Sequence, residues 1–235
     1  VLNAPDYTRT CSCGYQNQTS LALIHMPELE VWTSSLLGKR STVTTVNRVG
    51  INFGAPGDRL SKSGTLWLDY PSVGDHSPDI IIKVTAGEKM NTFRSHALRV
   101  QGEMPWVTAS GIRNVESIDI ELKLVTKQTK MDIQIFGERP ATKAPAKKAA
   151  PRNFTIRLYF REPDKLKAGE RVFSLSMQDK VLLKDFDIAK ESAGATVVRE
   201  FKGISISQNL AIKFTPDAKS KAKPLICGIE LIEEK

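Results

Sequence analysis

The feature that most constrains this chain is a series of short runs in which apolar and polar residues alternate strictly. In residues 154–160 (FTIRLYF) every even-numbered residue is apolar. Alternation with a period of two places successive side chains on opposite faces of a β-strand. Runs of the same kind occupy 118–122, 131–135, 173–177, 210–214 and 227–231. Glycine and proline turns separate them without a long amphipathic helix, so the sequence predicts an all-β, antiparallel β-sandwich.

A proline-rich stretch raises the question of how many domains the 235 residues form. Residues 139–151 (RPATKAPAKKAAP) contain prolines that block both helix and strand, which is typical of a flexible connection. The predicted strands before it form no obvious core of their own. We therefore expect a flexible loop at 138–153 within one sandwich at 46–235. Residues 1–45, with a possible strand at 19–25, are predicted to be an N-terminal extension.

The net charge of +8 invites a nucleic-acid hypothesis, which the position of the charge opposes. The segments 138–153 and 217–223 together hold six of the eight net positive charges. Both are rich in Ala, Pro or Ser and lack aromatic residues that would stack on bases. We therefore expect no nucleic-acid partner. Membrane insertion is not expected either, because no apolar run approaches the roughly 20 residues that a membrane-spanning helix needs.

The three cysteines fall into two classes. Cys11 and Cys13 form a C-x-C in a polar stretch, which is compatible with a short-range disulfide, half of a metal site, or pairing with cysteines elsewhere. No histidine stands at ligand spacing from them, so a zinc site is not expected, and we expect no cofactor. A disulfide is the favoured alternative and suits an oxidising compartment. Cys227 lies in an apolar strand pattern and is predicted to be a small core residue.

From Arg48 onward, over about four fifths of the chain, five separated blocks carry a family resemblance. They are 49–58 (VGINFGAPGD), 155–162 (TIRLYFRE), 169–173 (GERVF), 184–188 (KDFDI) and 224–231 (PLICGIEL). In this order they resemble the malectin-like carbohydrate-binding domains, and the likeness is weakest over 85–114. The resemblance implies a jelly-roll-like sandwich and a carbohydrate partner.

The N-terminal residues carry a second resemblance. Residues 6–13 (DYTRTCSC) and 17–20 (NQTS) are similar to the end of quinoprotein-like (PQQ-like) β-propeller chains of bacterial surface or periplasmic proteins. This likeness implies that the chain is the C-terminal part of an exported protein, located in the periplasm, on the cell surface or outside the cell. It also implies a partner, namely an upstream domain of the same polypeptide.

The candidate binding residues lie away from the loop that the malectin-like family uses. That family binds sugar with loop aromatics and an aspartate, whereas the matching loop here, 161–165 (REPDK), has no aromatic. Sugar sites on β-sandwiches need aromatic faces for the C–H side of a pyranose and polar groups for its hydroxyls. The candidates that offer these groups are Asp58, Arg59, Trp67, Tyr70, His96 and Trp106, with His96 expected to approach Trp106.

Each candidate has a structural alternative. Trp67 and Trp106 suit a sandwich core, since tryptophan is usually largely buried. Asp185 and Asp187 share one side of a strand at i, i+2 spacing, but a turn or capping role is favoured over catalysis. No catalytic triad, P-loop, dinucleotide fingerprint or zinc signature is present, so we expect no enzyme. The function hypotheses are therefore a non-catalytic carbohydrate-binding accessory module or a module that docks on an adjoining propeller.

Overall fold

The structure, a computed structural model, describes residues 46–71, 79–87, 90–125, 150–192 and 194–234. The strands are β1 Arg48–Phe53, β2 Arg59–Leu60, β3 Leu66–Tyr70, β4 Asp79–Thr85, β5 Asn91–Arg94, β6 Ser110–Arg113, β7 Ser117–Val125, β8 Arg152–Phe160, β9 Val172–Met177, β10 Lys180–Asp187, β11 Val197–Ile206, β12 Asn209–Pro216, β13 Leu225–Ile226 and β14 Gly228–Glu233. Helical residues are few: a 3₁₀ turn at Ala97–Arg99 and the one-turn helices α1 Pro105–Thr108 and α2 Ile188–Glu191.

The strands form two main sheets and one small sheet. The six-stranded sheet has the order β11-β8-β14-β1-β3-β2, and the five-stranded sheet has the order β10-β9-β12-β7-β4. A three-stranded sheet has the order β13-β6-β5, and it contacts the six-stranded sheet where β6 meets β1 and β13 meets β8. The strand pairs are antiparallel except β1 with β3, which run parallel. The predicted all-β sandwich of antiparallel sheets is thus confirmed, with one parallel pair that the sequence did not predict.

The core fills the space between the two main sheets. Phe160 of β8 packs against Phe173 of β9 and Phe186 of β10, with ring centroids 6.0 and 5.0 Å apart. Even-numbered residues of β8 therefore point toward the five-stranded sheet, as the alternation predicted. Burying each such side chain contributes about 1.5–3 kcal/mol. The most deeply buried apolar residues of this interior are Ile51, Phe53, Ile118, Ile120, Phe154, Ile156, Leu158, Phe160, Phe173, Leu175, Leu210 and Ile229.

The opposite face of the six-stranded sheet, which we call the outer face, carries the odd-numbered residues of β8. Tyr159 pairs with Gly228, and Arg157 pairs with Glu230. Glu230 in turn pairs with Gly50, which pairs with Trp67. These neighbours share one face because residues opposite each other in a ladder point the same way. Helix α1 contacts β8, which places it over this outer face.

Several predictions fall partly or wholly outside the described residues. The extension 1–45, the strands at 19–25 and 131–135, and the Cys11–Cys13 pair all lie there. The C-terminal boundary predicted for the loop at 138–153 differs from the structure, because β8 already begins at Arg152. Arg152 pairs with Ile206 of β11, and its side chain donates to Glu233 and Asn47.

Two other predictions are confirmed. Cys227 is fully buried, and burial raises the pKa of its thiol to about 12. Asp187 is a capping residue: its carboxylate accepts hydrogen bonds from the backbone N–H groups of Ala189 and Lys190 at the start of α2. Within the described part of the chain, no helix has the length and apolar character to cross a bilayer.

Candidate carbohydrate-binding site

Two glycines make room for a tryptophan on the outer face. A Cβ at Gly50 would lie 2.6 Å from both Cε2 and Cε3 of Trp67 and closer still to Cδ2. A Cβ at Gly228 would lie 3.0 Å from Cζ3 of the same ring and 2.5 Å from Cγ1 of Val107 in α1. The indole therefore lies flat over β1 and reaches β14. A side chain at position 50 or 228 would occupy the same space as the ring.

Three aromatic side chains, Trp67, Trp106 and Tyr159, form what we call the aromatic cluster. The ring centroids of Trp67 lie 5.5 Å from Trp106 and 5.3 Å from Tyr159, both in edge-to-face geometry. Such pairs contribute about 0.5–1.5 kcal/mol beyond their buried area. Trp106 is half-buried in α1, whereas Trp67 and Tyr159 are fully buried. Trp106 is thus the member of the cluster that meets solvent.

Arg59 completes this arrangement from the edge strand. Its guanidinium carbon lies 4.5 Å from the centroid of the Trp106 ring, a cation–π contact. Arg59 belongs to the two-residue strand β2 and pairs with Trp67, so both residues belong to the outer face. The neighbouring Asp58 is buried, and its carboxylate accepts a hydrogen bond of 2.9 Å from the backbone N–H of Asp69. Asp58 therefore fixes the chain that presents Arg59.

The other two candidates lie elsewhere. Tyr70 is three residues after Trp67 and faces the opposite side of β3, where its ring centroid lies 5.9 Å from that of Phe53. Burial raises the pKa of Tyr70 above its usual value. His96 is exposed and caps the 3₁₀ turn, with its Nδ1 accepting a hydrogen bond from Leu98 N. The structure thus joins Asp58, Arg59, Trp67 and Trp106 and places Tyr70 on the opposite face of β3, while the approach of His96 to Trp106 stays a prediction.

Trp67 also contains an unusual polar atom. Its indole Nε1–H is buried and has no hydrogen-bond partner, and it is the single buried side-chain polar atom of this kind among the described residues. Since the ring is fully buried, Trp67 supports the site from below and cannot present a stacking face to solvent.

Sequence reasoning missed Glu230, which is 1% exposed on the outer face. Its carboxylate accepts hydrogen bonds from the hydroxyls of Thr65 and, at 3.3 Å, Tyr159. Arg48 and Arg157 form ion pairs with it at 3.5 and 3.4 Å. Burial and, second, the charge of Glu230 raise the pKa of Tyr159 above its usual range. The alternation marked Glu230 as outward-facing, and no sequence signal showed that other residues cover it.

The loop that carries aromatics in the malectin-like family serves a structural purpose here. Arg171 and Glu162, 4% and 3% exposed, form a buried ion pair at 2.5 Å. Arg171 also pairs with Asp164 at 2.8 Å, and Asp164 pairs with Arg113 at 2.6 Å. The hydrogen bonds from Arg113 and Arg171 lower the pKa of Asp164 to about 2. These contacts fasten the loop after β8 to β6 and to the start of β9.

The site combines a half-exposed indole, a guanidinium and a buried carboxylate. Aromatic rings bind the apolar faces of ring compounds, while charged groups accept and donate hydrogen bonds. No group of three or more His, Cys, Asp or Glu able to hold a metal ion occurs in the described ranges. The structure thus places an aromatic ring, a cation and a carboxylate on the outer face of one sheet.

Comparison with known proteins agrees with this fold. A model of the Malectin domain matches residues 145–229, just over a third of the chain. No curated protein matches the chain in sequence. A calcium-binding mutant of Bacteroides uniformis β-glucuronidase 2 is similar in structure, with a TM-score of 0.53 and 14% identity over 80% of this chain and 18% of that one.

Another structure of Bacteroides uniformis β-glucuronidase gives a TM-score of 0.52 at 15% identity, again over 80% of this chain and 18% of the enzyme. The plant receptor-like kinase FER gives a TM-score of 0.50 at 16% identity, over 80% of this chain and 42% of its own. The chain thus spans less than half the length of these proteins. At such identities the likeness establishes the sandwich fold alone.

Proposed function

We propose that this chain is a non-catalytic carbohydrate-binding accessory module of an exported protein. The observation that carries the proposal is the half-exposed Trp106, held between the guanidinium of Arg59 and the buried ring of Trp67. The Malectin-domain match at 145–229 supports it, because the matched residues run from β8, which carries Tyr159, to the first two residues of β14.

The proposed ligand is a saccharide that lays one ring face on Trp106. Arg59 covers one face of this indole, so the sugar either uses the remaining exposed surface or displaces the guanidinium. A displaced Arg59 still lies at the rim and donates hydrogen bonds to ring hydroxyls. One half-exposed aromatic side chain at the centre of the site suits modest affinity, since affinity follows the quality of a few central contacts.

The test is a glycan array followed by calorimetry with the saccharide that gives the strongest signal. Trp106→Ala is expected to lower affinity by at least about tenfold, because large aromatic side chains dominate binding energies. Loss of the contact with Trp67 should lower the free energy of unfolding by about 1 kcal/mol, and the variant should remain folded because Trp106 is half-exposed. Leu98→Ala is the matched control: this residue is 90% exposed on the adjacent 3₁₀ turn and lies outside the aromatic cluster. Full glycan binding by Trp106→Ala would contradict the proposal.

The alternative is a structural module that docks on an adjoining β-propeller. The observation that favours it is Leu98 itself, a large apolar side chain that is almost fully exposed beside α1. Docking predicts no glycan signal, and it predicts that Leu98→Ala, but not Trp106→Ala, weakens association with the upstream domain in the full-length protein. Sequencing of the gene upstream of Val1 tests whether propeller repeats precede the chain.

Export is tested by locating the native protein in cell fractions. The proposal expects it in the periplasm, on the cell surface or in the medium, and a cytoplasmic location would contradict that part. A disulfide between Cys11 and Cys13 is expected in the same experiment, as a mass loss that is reversed by reduction.

A further inference from the structure

The buried indole N–H of Trp67 is the starting point, because buried polar atoms almost always have a partner. Its nitrogen has none among the described residues. Leaving a donor unsatisfied in a protein interior weakens the fold, and an apolar ring in the same place would avoid that loss. The N–H therefore points to an acceptor that the protein alone does not supply.

A second polar group borders the same space. Glu230 and Trp67 flank Gly50 in one row of the sheet, since Gly50 pairs with both. Gly50 has no side chain, and the indole fills the space above it, with Cε2, the ring carbon that carries Nε1, over the Gly50 position. On the outer face, Gly50 thus stands between a residue whose buried donor has no partner and a residue with a buried carboxylate.

A hydroxyl group is the chemical group that suits both. Its oxygen accepts a hydrogen bond while its proton is donated to a carboxylate, so one hydroxyl satisfies Trp67 and Glu230 together. A water molecule has the same capacity, and a sugar hydroxyl that replaces such a water preserves both hydrogen bonds.

The segment 102–106, which we call the cover segment, lies over this space. It is fastened at its two ends: Gln101 O accepts from Thr196 N at 2.8 Å, and Thr108 O accepts from Arg161 Nε at 2.7 Å. Between these points Met104 adopts a left-handed backbone conformation, with φ 48° and ψ 58°. This conformation is energetically unfavourable for residues other than glycine. Met104 Sδ lies 3.5 Å from the hydroxyl oxygen of Tyr159 on the sheet, whose proton is donated to Glu230.

We propose that Trp67 and Glu230 bind one hydroxyl of a neutral saccharide when the cover segment moves aside, with the indole N–H donating to the hydroxyl oxygen and the hydroxyl donating to the carboxylate. This inference rests on the proposed carbohydrate-binding function and deepens it. Trp106, at the end of the cover segment, then holds the ring of the same saccharide. The sugar is thus held from both sides, by stacking at the surface and by hydrogen bonds at the sheet.

The first measurement is NMR of the indole N–H groups in ¹⁵N-labelled protein, titrated with maltose, cellobiose and galactose. The chain has three tryptophans, and the signal that Trp67→Phe removes is that of Trp67. At least one of the three sugars is expected to move this signal downfield, as formation of a hydrogen bond does. If none of them moves it, the inference is overturned, even where Trp106 responds.

The second measurement compares affinities of variants for the sugar that responds. Trp67→Phe and Glu230→Gln are each expected to lower affinity about tenfold, the value of one hydrogen bond of ordinary to good strength. Glu200→Gln is the matched control, because Glu200 lies on the same outer face and pairs with the same Arg157, but two strands farther from Gly50 than Glu230. It should bind like the parent.

The outcomes separate the two proposals. Loss of binding in Trp106→Ala together with full binding in Trp67→Phe contradicts the buried hydroxyl site and leaves the carbohydrate module intact. An array without any glycan signal contradicts both. If Trp67→Phe does not fold, the titration of the parent protein still tests the buried hydroxyl site. The Trp67 signal is then assigned as the one that remains in both Trp32→Phe and Trp106→Phe.

Discussion

Replacing Gly50 by alanine tests whether the indole of Trp67 occupies the space above β1. The added Cβ would lie 2.6 Å from two ring carbons and closer to a third, so the ring has to move. Trp67 is fully buried between Tyr159 and Trp106, both within 5.5 Å between centroids, and cannot shift without disturbing them. Overpacking costs about 1–3 kcal/mol, and loss of a packed aromatic about 3–5 kcal/mol. We expect Gly50→Ala to lower the free energy of unfolding by about 3 kcal/mol.

The assay is urea unfolding followed by circular dichroism and tryptophan fluorescence. Gly64→Ala is the control, because a Cβ there meets no atom within 4 Å while the φ of +80° imposes only a backbone penalty of about 1 kcal/mol. In a Trp67→Leu background, which removes the ring, Gly50→Ala should cost much less than in the parent. Equal costs for Gly50→Ala and Gly64→Ala, or an undiminished cost in the Trp67→Leu background, would refute the reasoning.

Three further predictions concern the loop after β8 and the core. Arg171→Met should cost about 3–5 kcal/mol because it leaves Glu162 as an unpaired buried charge, while Arg171→Met with Glu162→Met should cost much less, as measured by urea unfolding. The pKa of Asp164 is lowered from 3.8 to about 2, so its stabilising contribution is complete above pH 4 and is lost as the pH falls toward 2. With 29% of the side chain exposed, screening by solvent reduces that contribution to about 1 kcal/mol. In Asp164→Asn, the melting temperature should therefore depend less on pH between pH 4 and pH 2 than it does in the parent. Cys227, whose thiol has a pKa of about 12, should resist iodoacetamide at pH 8 and react only after unfolding, as seen by mass spectrometry.

The sequence predicted the inner face of the sandwich well. The alternating runs at 154–160 and 173–177 correspond to β8 and β9 within two residues at each end. One face of each strand is buried in the core, and a shift by one residue would turn every apolar side chain to the other face. The pattern is therefore enforced by packing, which is why it can be recognised without a structure.

The outer face was harder to predict. The alternation places Glu230 on the outer face, where residues are usually exposed. Glu230 is buried because Thr65, Arg48 and the residues around Tyr159 cover it. These contacts join positions far apart in the chain, and no local pattern encodes them. By contrast, the separation of Trp67 from Tyr70 follows from the period of two itself, since an odd spacing along a strand places two residues on opposite faces.

The alternation of β1 has a consequence for which positions of the sheet can change during evolution. Val49, Ile51 and Phe53 fill the interior, while Gly50 and Asn52 alternate with them on the outer face. Mutations at the second set alter what the outer face accommodates and leave the interior side chains untouched. One strand thus serves two selection pressures: relatives are expected to keep the first set, and to change Gly50 only together with Trp67, whose ring occupies the space above it.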